Sequence, residues 1–345
     1  MSRLFEPLQL TPRLCLPNRV AMAPMTRCMA GQGGTPTTAM AEYYARRAAA
    51  GLIVSEAIVV SKEALGYPNV PGLFAAPQLE GWRRVTEAVH EKGGRIFAQI
   101  WHTGRAAHSY FSECQPVAPS AVTLHGTVPR MRRLSYEEPR ALLKSDLSRI
   151  CDDFVLASRN AVTAGFDGIE IHGANGYLLD QFLHYSSNQR CDEYGGDPSS
   201  MVRYPLCIVD AVAAELGDLP LGIRVSPTAH TNMLFDARDR EVFDVFLAAL
   251  GHRKLAYVHL GLFDDQTIDA GLGMRPSEYL MRTYPGVRMG AGGYEPDSAE
   301  RSLELGRLQV VAWGRLFIAN PDLVARLRAG EPLRPYDPGQ LMRLS

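Results

Sequence analysis

The chain repeats one local pattern along its length: a short apolar run rich in β-branched residues, followed by a longer stretch with apolar residues three or four apart. Candidate strands lie at residues 19–23, 52–56, 95–100, 168–171, 221–225, 256–260, 287–290 and 310–313. Candidate helices lie at 39–50, 79–92, 147–164, 203–215, 240–250, 277–283, 298–305 and 321–329. Eight such βα units close most simply as a (β/α)8 TIM barrel. A doubly wound open sheet uses the same local pattern, but no G-x-G-x-x-G follows the first strand, so the barrel is the expectation. No linker divides residues 1–345, which predicts a single domain. The longest interruption, about 102–144, holds Pro116, Pro119, Pro129 and Pro139 without helical period and is expected to cap one barrel end after strand 3. Residues 229–240 carry no assignable pattern.

In a barrel, the residues just past each strand share one mouth. Here they are Pro24-Met25-Thr26, Glu56-Ala57, Gln99 with Trp101-His102, His172 with Asn175, Arg224, His259, Gly292-Gly293 and Gly314-Arg315. Glycines after strands seven and eight, with an arginine, match the phosphate corner of such barrels, where backbone amides and a helix N-terminus favour an anion. Thr26, Gln99 and Arg224 add a hydroxyl, an amide and a cation, the set that the polar edge of an isoalloxazine ring requires. The turn after the fourth strand is the richest: His172 and Asn175 carry N–H donors that can converge on one oxygen, and the Tyr177 phenol offers a separate proton. Hydride addition to an enone builds negative charge on oxygen. Donors aimed there stabilise it by about 3 kcal/mol each, and a phenol stays protonated at neutral pH.

Other residues carry two readings. Tyr67 and Trp101 either pack the barrel rim or line a substrate pocket. Glu170 shares the parity of His172 and should face inward, where it needs a buried cation, with Arg224 the expected partner. Gly33-Gly34 and Gly93-Gly94 read as turns. The run Arg130-Met-Arg-Arg133 is a solvated loop or a contact for the anionic end of a nicotinamide dinucleotide.

With 36 basic and 37 acidic residues, the charge balance lacks the footprint of a nucleic-acid binder and favours small-molecule work. Cysteines at 15, 28, 114, 151, 191 and 207 form no C-x-x-C pair, and no apolar run is long enough to span a bilayer. A cytoplasmic protein without membrane partners is expected. Cys15, Cys151 and Cys207 read as small core residues.

Five segments together resemble the Old Yellow Enzyme family of FMN-dependent ene-reductases: Asn18-Arg-Val-Ala-Met-Ala-Pro-Met-Thr26, Gln99-Ile-Trp-His-Thr-Gly-Arg105, His172-Gly-Ala-Asn-Gly-Tyr-Leu-Leu-Asp-Gln-Phe182, Ser187-Asn-Gln-Arg-Cys-Asp-Glu-Tyr-Gly-Gly196 and Trp313-Gly-Arg-Leu-Phe-Ile-Ala-Asn-Pro321. The resemblance covers residues 4–330. It implies a tightly bound, non-covalent FMN reduced by NADPH or NADH. It implies further that Thr26 bonds flavin O4, that Gln99 and Arg224 hold the pyrimidine edge, and that Pro24, Met25 and Ala57 pack against the ring. Gly292, Gly293, Gly314 and Arg315 would hold the phosphate. By the same resemblance His172 and Asn175 grip the carbonyl oxygen of an enone-type or nitroalkene substrate. Hydride then reaches the β-carbon from flavin N5, and Tyr177 protonates the α-carbon from the opposite face. Thr26 stands where some relatives carry cysteine.

The C-terminal end departs from the family pattern: Arg334-Pro-Tyr-Asp-Pro338 replaces a longer, Gly-Tyr-Thr-Asp-like extension and alters one wall of the expected pocket. Two rivals follow from the same residues. A flavin-dependent isomerase or desaturase would use the same scaffold, and a metal-dependent hydrolase would gather His102, His172 and His259. Monomer and homodimer are both compatible with the sequence.

Overall fold

The computed structural model describes residues 2–228 and 231–344; residues 229 and 230, within the patternless 229–240 stretch, lie outside it. Eight parallel strands close on themselves: β1 (Val20–Met22), β2 (Leu52–Val54), β3 (Ile96–Trp101), β4 (Gly168–Gly173), β5 (Leu221–Val225), β6 (Tyr257–Gly261), β7 (Arg288–Ala291) and β8 (Val310–Trp313). Each pairs with its sequence neighbours, β8 pairs with β1, and β2 pairs with β3 to complete the ring. The predicted helices surround it as α1 (Thr38–Ala45), α2 (Ala76–His90), α3 (Lys144–Thr163), α4 (Arg203–Leu216), α5 (Asp239–Gly251), α6 (Pro276–Thr283), α7 (Pro296–Glu304) and α8 (Leu323–Ala329). The expected TIM barrel is the observed fold.

Helix α3 shows why the elements form where they do. Asp146 accepts the Leu143 N–H at 2.8 Å and so satisfies a free donor at the helix start. Leu147, Ile150, Phe154, Ala157 and Ala161, spaced by three and four, then make one buried stripe. Strand β4 alternates instead: Ile169 and Ile171 join the large cluster between strands and helices, while Glu170 and His172 take the opposite face and point inward.

Inside the barrel, a second cluster of Ala21, Leu52, Val54, Phe97, Tyr257, Met289 and Val310 fills the end opposite the mouth. Leu10 and Leu16 from an N-terminal hairpin, Leu8–Thr11 paired with Leu14–Leu16, join this cluster; periodicity did not reveal the hairpin because each arm is too short. Space here is tight. A Cβ at Gly168 would stand 2.5 Å from the Phe97 ring, and one at Gly222 would stand 2.5 Å from Tyr257.

Two boundaries differ from expectation and matter for the site. Trp101 and His172 lie within β3 and β4 rather than on the turns after them, and His172 is registered with Arg224 across the ladder. The capping excursion is real but not structureless. It contains a one-turn helix, Ser109–Ser112, and a parallel strand pair, Val117–Ala118 with Arg140–Ala141. Arg190 pins it from below, donating to the carbonyls of Pro119 at 3.0 Å and Leu142 at 2.7 Å.

Candidate active site

A cavity of about 570 Å³ opens at the C-terminal ends of the strands, within the roughly 300–1,000 Å³ typical of cofactor sites. Pro24, Met25, Arg224, Gly292, Gly293, Gly314 and Arg315 all line it, which gathers seven of the residues singled out from sequence around one space. The guanidinium of Arg224 is buried, and its Nε has no partner within the protein. An unpaired buried donor is costly and suits a polar ligand atom. Gly293, at φ 69°, holds a left-handed conformation that other residues resist, and its Cβ would stand 2.9 Å from the Phe263 carbonyl oxygen. The glycines thus keep this wall at backbone level. A flat, phosphorylated group with a polar edge fits this donor set, FMN among them.

The sequence tied one wall of the expected pocket to the departing C-terminal segment. Leu333, Arg334, Pro335 and Tyr336 fold back along the cavity, so the Arg-Pro-Tyr-Asp segment supplies part of it. The chain beyond is tied down by a buried arginine: the Arg27 guanidinium donates to the Gln340 carbonyl at 2.9 Å and the Arg343 carbonyl at 2.6 Å. Arg130, from the basic run of the capping excursion, donates to the Arg27 carbonyl and, at 3.3 Å, to that of Leu341. That commits Arg130 to the tail, whereas Arg133 reaches the Tyr110 hydroxyl.

Thr26 and Ala57 meet at the neighbouring rim through their adjoining residues, for the Arg27 N–H donates to Glu56 Oε2 at 3.2 Å. Below the mouth lies Gln99, whose Nε2 donates to Glu170 Oε1 at 2.7 Å. His259 Nδ1 stands 2.9 Å from Glu170 Oε2. This corrects the expected ion pair. The close partners of Glu170 are Gln99 and His259, and Arg224 acts on it only through its longer-range charge, because the register sets Glu170 opposite Gly222. Burial pushes the Glu170 carboxyl up, but His259, Arg224 and Gln99 outweigh it and hold the group below its usual range, as a carboxylate. Burial pushes His259 down, so the neutral ring donates from Nδ1.

At the side of the cavity, four rings pack together. Tyr177 sits edge-on to Trp101 at 4.7 Å and to His172 at 5.1 Å, and Tyr67 lies 5.4 Å from Trp101. The Tyr67 and Tyr177 hydroxyls are 2.9 Å apart. Burial, reinforced by the Arg224 charge, lowers His172 well below its ordinary range, and its Nδ1 has no protein partner. Desolvation at this depth lifts the Tyr177 phenol well above its usual value, so it stays protonated.

The turn that carries Asn175 is held from three directions. Asn175 adopts φ 60°, a conformation asparagine tolerates, and its N–H donates to Ser226 Oγ at 3.0 Å. The Ser226 hydroxyl lies 3.2 Å from Asn175 Oδ1, which turns the amide so that Nδ2 is left as the free donor. Asp180 accepts the Gly176 N–H at 2.8 Å, and Gln181 donates to the Gly176 carbonyl at 2.8 Å. Sequence reading missed Ser226. A serine directly after a strand that ends in a candidate ligand-binding arginine was the available signal.

Among the described residues, no three His, Cys, Asp or Glu side chains are gathered as a metal site. His102 instead faces Glu63 at 3.8 Å, while His259 is held by Glu170. Among the described residues, no helix is long and apolar enough to cross a membrane.

Comparison with known proteins agrees with this geometry. Residues 3–334 match the profile of the NADH:flavin oxidoreductase / NADH oxidase family. The chain is 40% identical over 360 residues to 12-oxophytodienoate reductase 7 of Oryza sativa subsp. japonica, covering 96% of this chain and 89% of the relative. It is 36% identical to the flavin oxidoreductase hxnT of Emericella nidulans, with 98% and 93% covered. Among solved structures, an old yellow enzyme homologue from Zymomonas mobilis superposes with a TM-score of 0.91 at 36% identity, covering 98% of this chain and 96% of that one. Morphinone reductase in complex with tetrahydroNAD superposes at 0.89 with 39% identity, covering 98% and 93%. The chain therefore belongs to the NADH:flavin oxidoreductase family of Old Yellow Enzymes and is an NAD(P)H-dependent FMN oxidoreductase.

Proposed function

We propose that this protein reduces the C=C bond of alkenes conjugated to a carbonyl or nitro group. The carrying observation is the mouth beside the cavity, where a neutral His172, an Asn175 amide oriented by Ser226, and a protonated Tyr177 stand together. FMN, when bound, supplies a hydride taken from the nicotinamide. Arg224, Gln99, Thr26, Pro24, Met25 and Ala57 are the residues that would hold its ring, and Gly292, Gly293, Gly314 and Arg315 its phosphate.

His172 and Asn175 donate hydrogen bonds to the substrate's activating oxygen and stabilise the negative charge that grows there as the alkene is reduced, an effect of about 10²–10³ in rate per donor. A neutral imidazole suits this task, because it donates a hydrogen bond without delivering its proton. The proton comes from Tyr177 and goes to the α-carbon. Trp101 and Tyr67 wall the substrate space and exclude water from it. The relatives support the substrate class: 12-oxophytodienoate reductase and morphinone reductase are both named for reducing compounds whose names carry a ketone.

The test is the visible spectrum of the purified protein under anaerobic conditions, after adding NADPH and then cyclohexenone. Bleaching followed by recovery is the expected result. Protein that takes up no flavin, or a reduced flavin that no enone or nitroalkene reoxidises, would overturn the reading and leave a redox-neutral isomerase as the better description.

A further inference from the structure

The large cavity is bordered by two glycine turns: Gly292, Gly293 and Tyr294 follow β7, and Gly314 and Arg315 follow β8. The N–H groups of Gly293 and Gly314 donate to no acceptor among the described residues. Free amides in a cavity wall suit an anion. A glycine turn, however, has many conformations of similar energy, so its amides point one way only if something outside the turn fixes them. Here both ends of the first turn are fastened. The Asp265 N–H donates to the Gly292 carbonyl at 2.9 Å, and the Trp313 indole N–H donates to the Tyr294 carbonyl at 2.7 Å. Because Trp313 is the last residue of β8, the second bond also ties the two turns together. The Tyr294 hydroxyl donates to Asp265 Oδ2 at 2.5 Å, and the Ser277 N–H, in the first turn of α6, donates to Asp265 Oδ1 at 2.7 Å. Asp265, Tyr294 and Trp313 are all buried.

A buried carboxylate close to an anion site is unfavourable unless donors take up its charge. Asp265 meets that condition, for one oxygen takes the phenol and the other takes an N–H that the start of α6 leaves free. Burial and the neighbouring carboxylate push the Tyr294 phenol well up, so it keeps its proton and stays the donor. From these contacts we infer that Asp265 and Tyr294 select a phosphorylated flavin over an unphosphorylated one, by presetting the Gly293 and Gly314 amides for the phosphate. They act as positioning residues, since the amides make the contact. The inference rests on the reading above in which these glycines hold the FMN phosphate. Discrimination then comes from rigidity as well as charge, because a turn that must be ordered at each binding event gives back part of what the phosphate contributes. The loop after β6, which carries Asp265, thereby gains a part in the choice of cofactor.

The test uses the full-length protein freed of flavin, titrated with FMN and with riboflavin and followed by flavin fluorescence. The two ligands share the ring and the ribityl chain and differ only in the phosphate. Wild type is expected to bind FMN more tightly by on the order of 100-fold or more. Tyr294→Phe keeps the ring and removes only the hydroxyl. It is expected to weaken FMN binding by about tenfold and to leave riboflavin within about twofold of wild type. Asp265→Asn retains one acceptor oxygen in place of two and is expected to weaken FMN binding by a similar factor. The double variant should lose no more than the larger single loss, because both changes break the same bond. Unchanged FMN affinity in Tyr294→Phe, or equal losses for both ligands, would overturn the inference alone, the second outcome reducing the pair to ordinary packing. Wild-type protein that binds riboflavin as tightly as FMN would overturn the placing of the phosphate at these glycines, and the inference with it.

Discussion

The two halves of the barrel interior are built from the same strands, two residues apart, and treat burial in opposite ways. On the closed side, Phe97 and Tyr257 stack with ring centroids 6.0 Å apart, and Gly168 and Gly222 give up their side chains to make room. On the mouth side, the next inward positions are Gln99, Glu170, Arg224 and His259, all buried and all polar. The closed half has few polar atoms to satisfy. The open half leaves His172 Nδ1, Arg224 Nε and His259 Nε2 without protein partners. Native cores rarely tolerate three such atoms in one layer unless a ligand meets them. The pleat of one strand thus serves stability at one end and reserves hydrogen-bonding capacity at the other.

The largest effect that would test this division is expected from Phe97→Ala. Removing a fully buried ring from the closed half should lower the unfolding free energy by about 3–5 kcal/mol, read from a denaturant midpoint. Flavin content per folded molecule should stay near wild type. A large loss of flavin at native-like stability would break the comparison, since it would mean that the lower layer positions Gln99 directly. Next in size is His172→Leu. The ring is held by contacts to Trp101 and Tyr177 and bonds nothing through Nδ1. Stability should therefore change by under about 1 kcal/mol, while reoxidation by enone falls by about 10²–10³. A variant that kept its rate but unfolded easily would place His172 with the structural half.

The division also accounts for what the sequence disclosed. All eight barrel strands were legible, because a strand buried on both faces is an unbroken apolar run whichever way its neighbours lie. So were the residues around the large cavity, since barrel geometry alone carries strand ends to one mouth. What stayed hidden depends on reach across the fold. Glu170 was assigned Arg224, a cation of the right parity, because no local rule says that His259 will extend to it across β5. Ser226 was passed over because a serine carries no signal until the chain folds it against Asn175. The C-terminal segment was tied to one pocket wall from sequence, but what fastens it was not legible: Asn320 donates to the Arg334 carbonyl and accepts the Arg334 N–H.

The smallest effect sharpens the contrast through pH. The open half leans on a buried charge: His184 Nδ1 lies 2.7 Å from Asp239 Oδ2, and its Nε2 lies 3.3 Å from Asp180 Oδ1. Asp180 in turn holds the Gly176 N–H of the turn that carries Asn175. Burial opposes a charged imidazole, but the two carboxylates outweigh it and raise His184 to about 9 from 6.5. A group raised on folding stabilises the fold fully below its unfolded value, and that contribution fades as pH climbs through the folded value. Two other sets of groups act outside this window. Glu56, pushed by burial from 4.5 to about 7, favours the fold less as pH rises only up to there. The thiols of the buried Cys28 and the half-buried Cys151, raised from 9.0 to about 11, act only above it. Between pH 7 and 9 the wild-type protein should therefore lose on the order of 2 kcal/mol of stability. His184→Gln should flatten that slope while leaving the Phe97→Ala penalty unchanged. A wild-type stability that is level from pH 7 to 9, or a slope that survives the substitution, would mean that the turn bearing Asn175 and Tyr177 is held by its backbone hydrogen bonds alone.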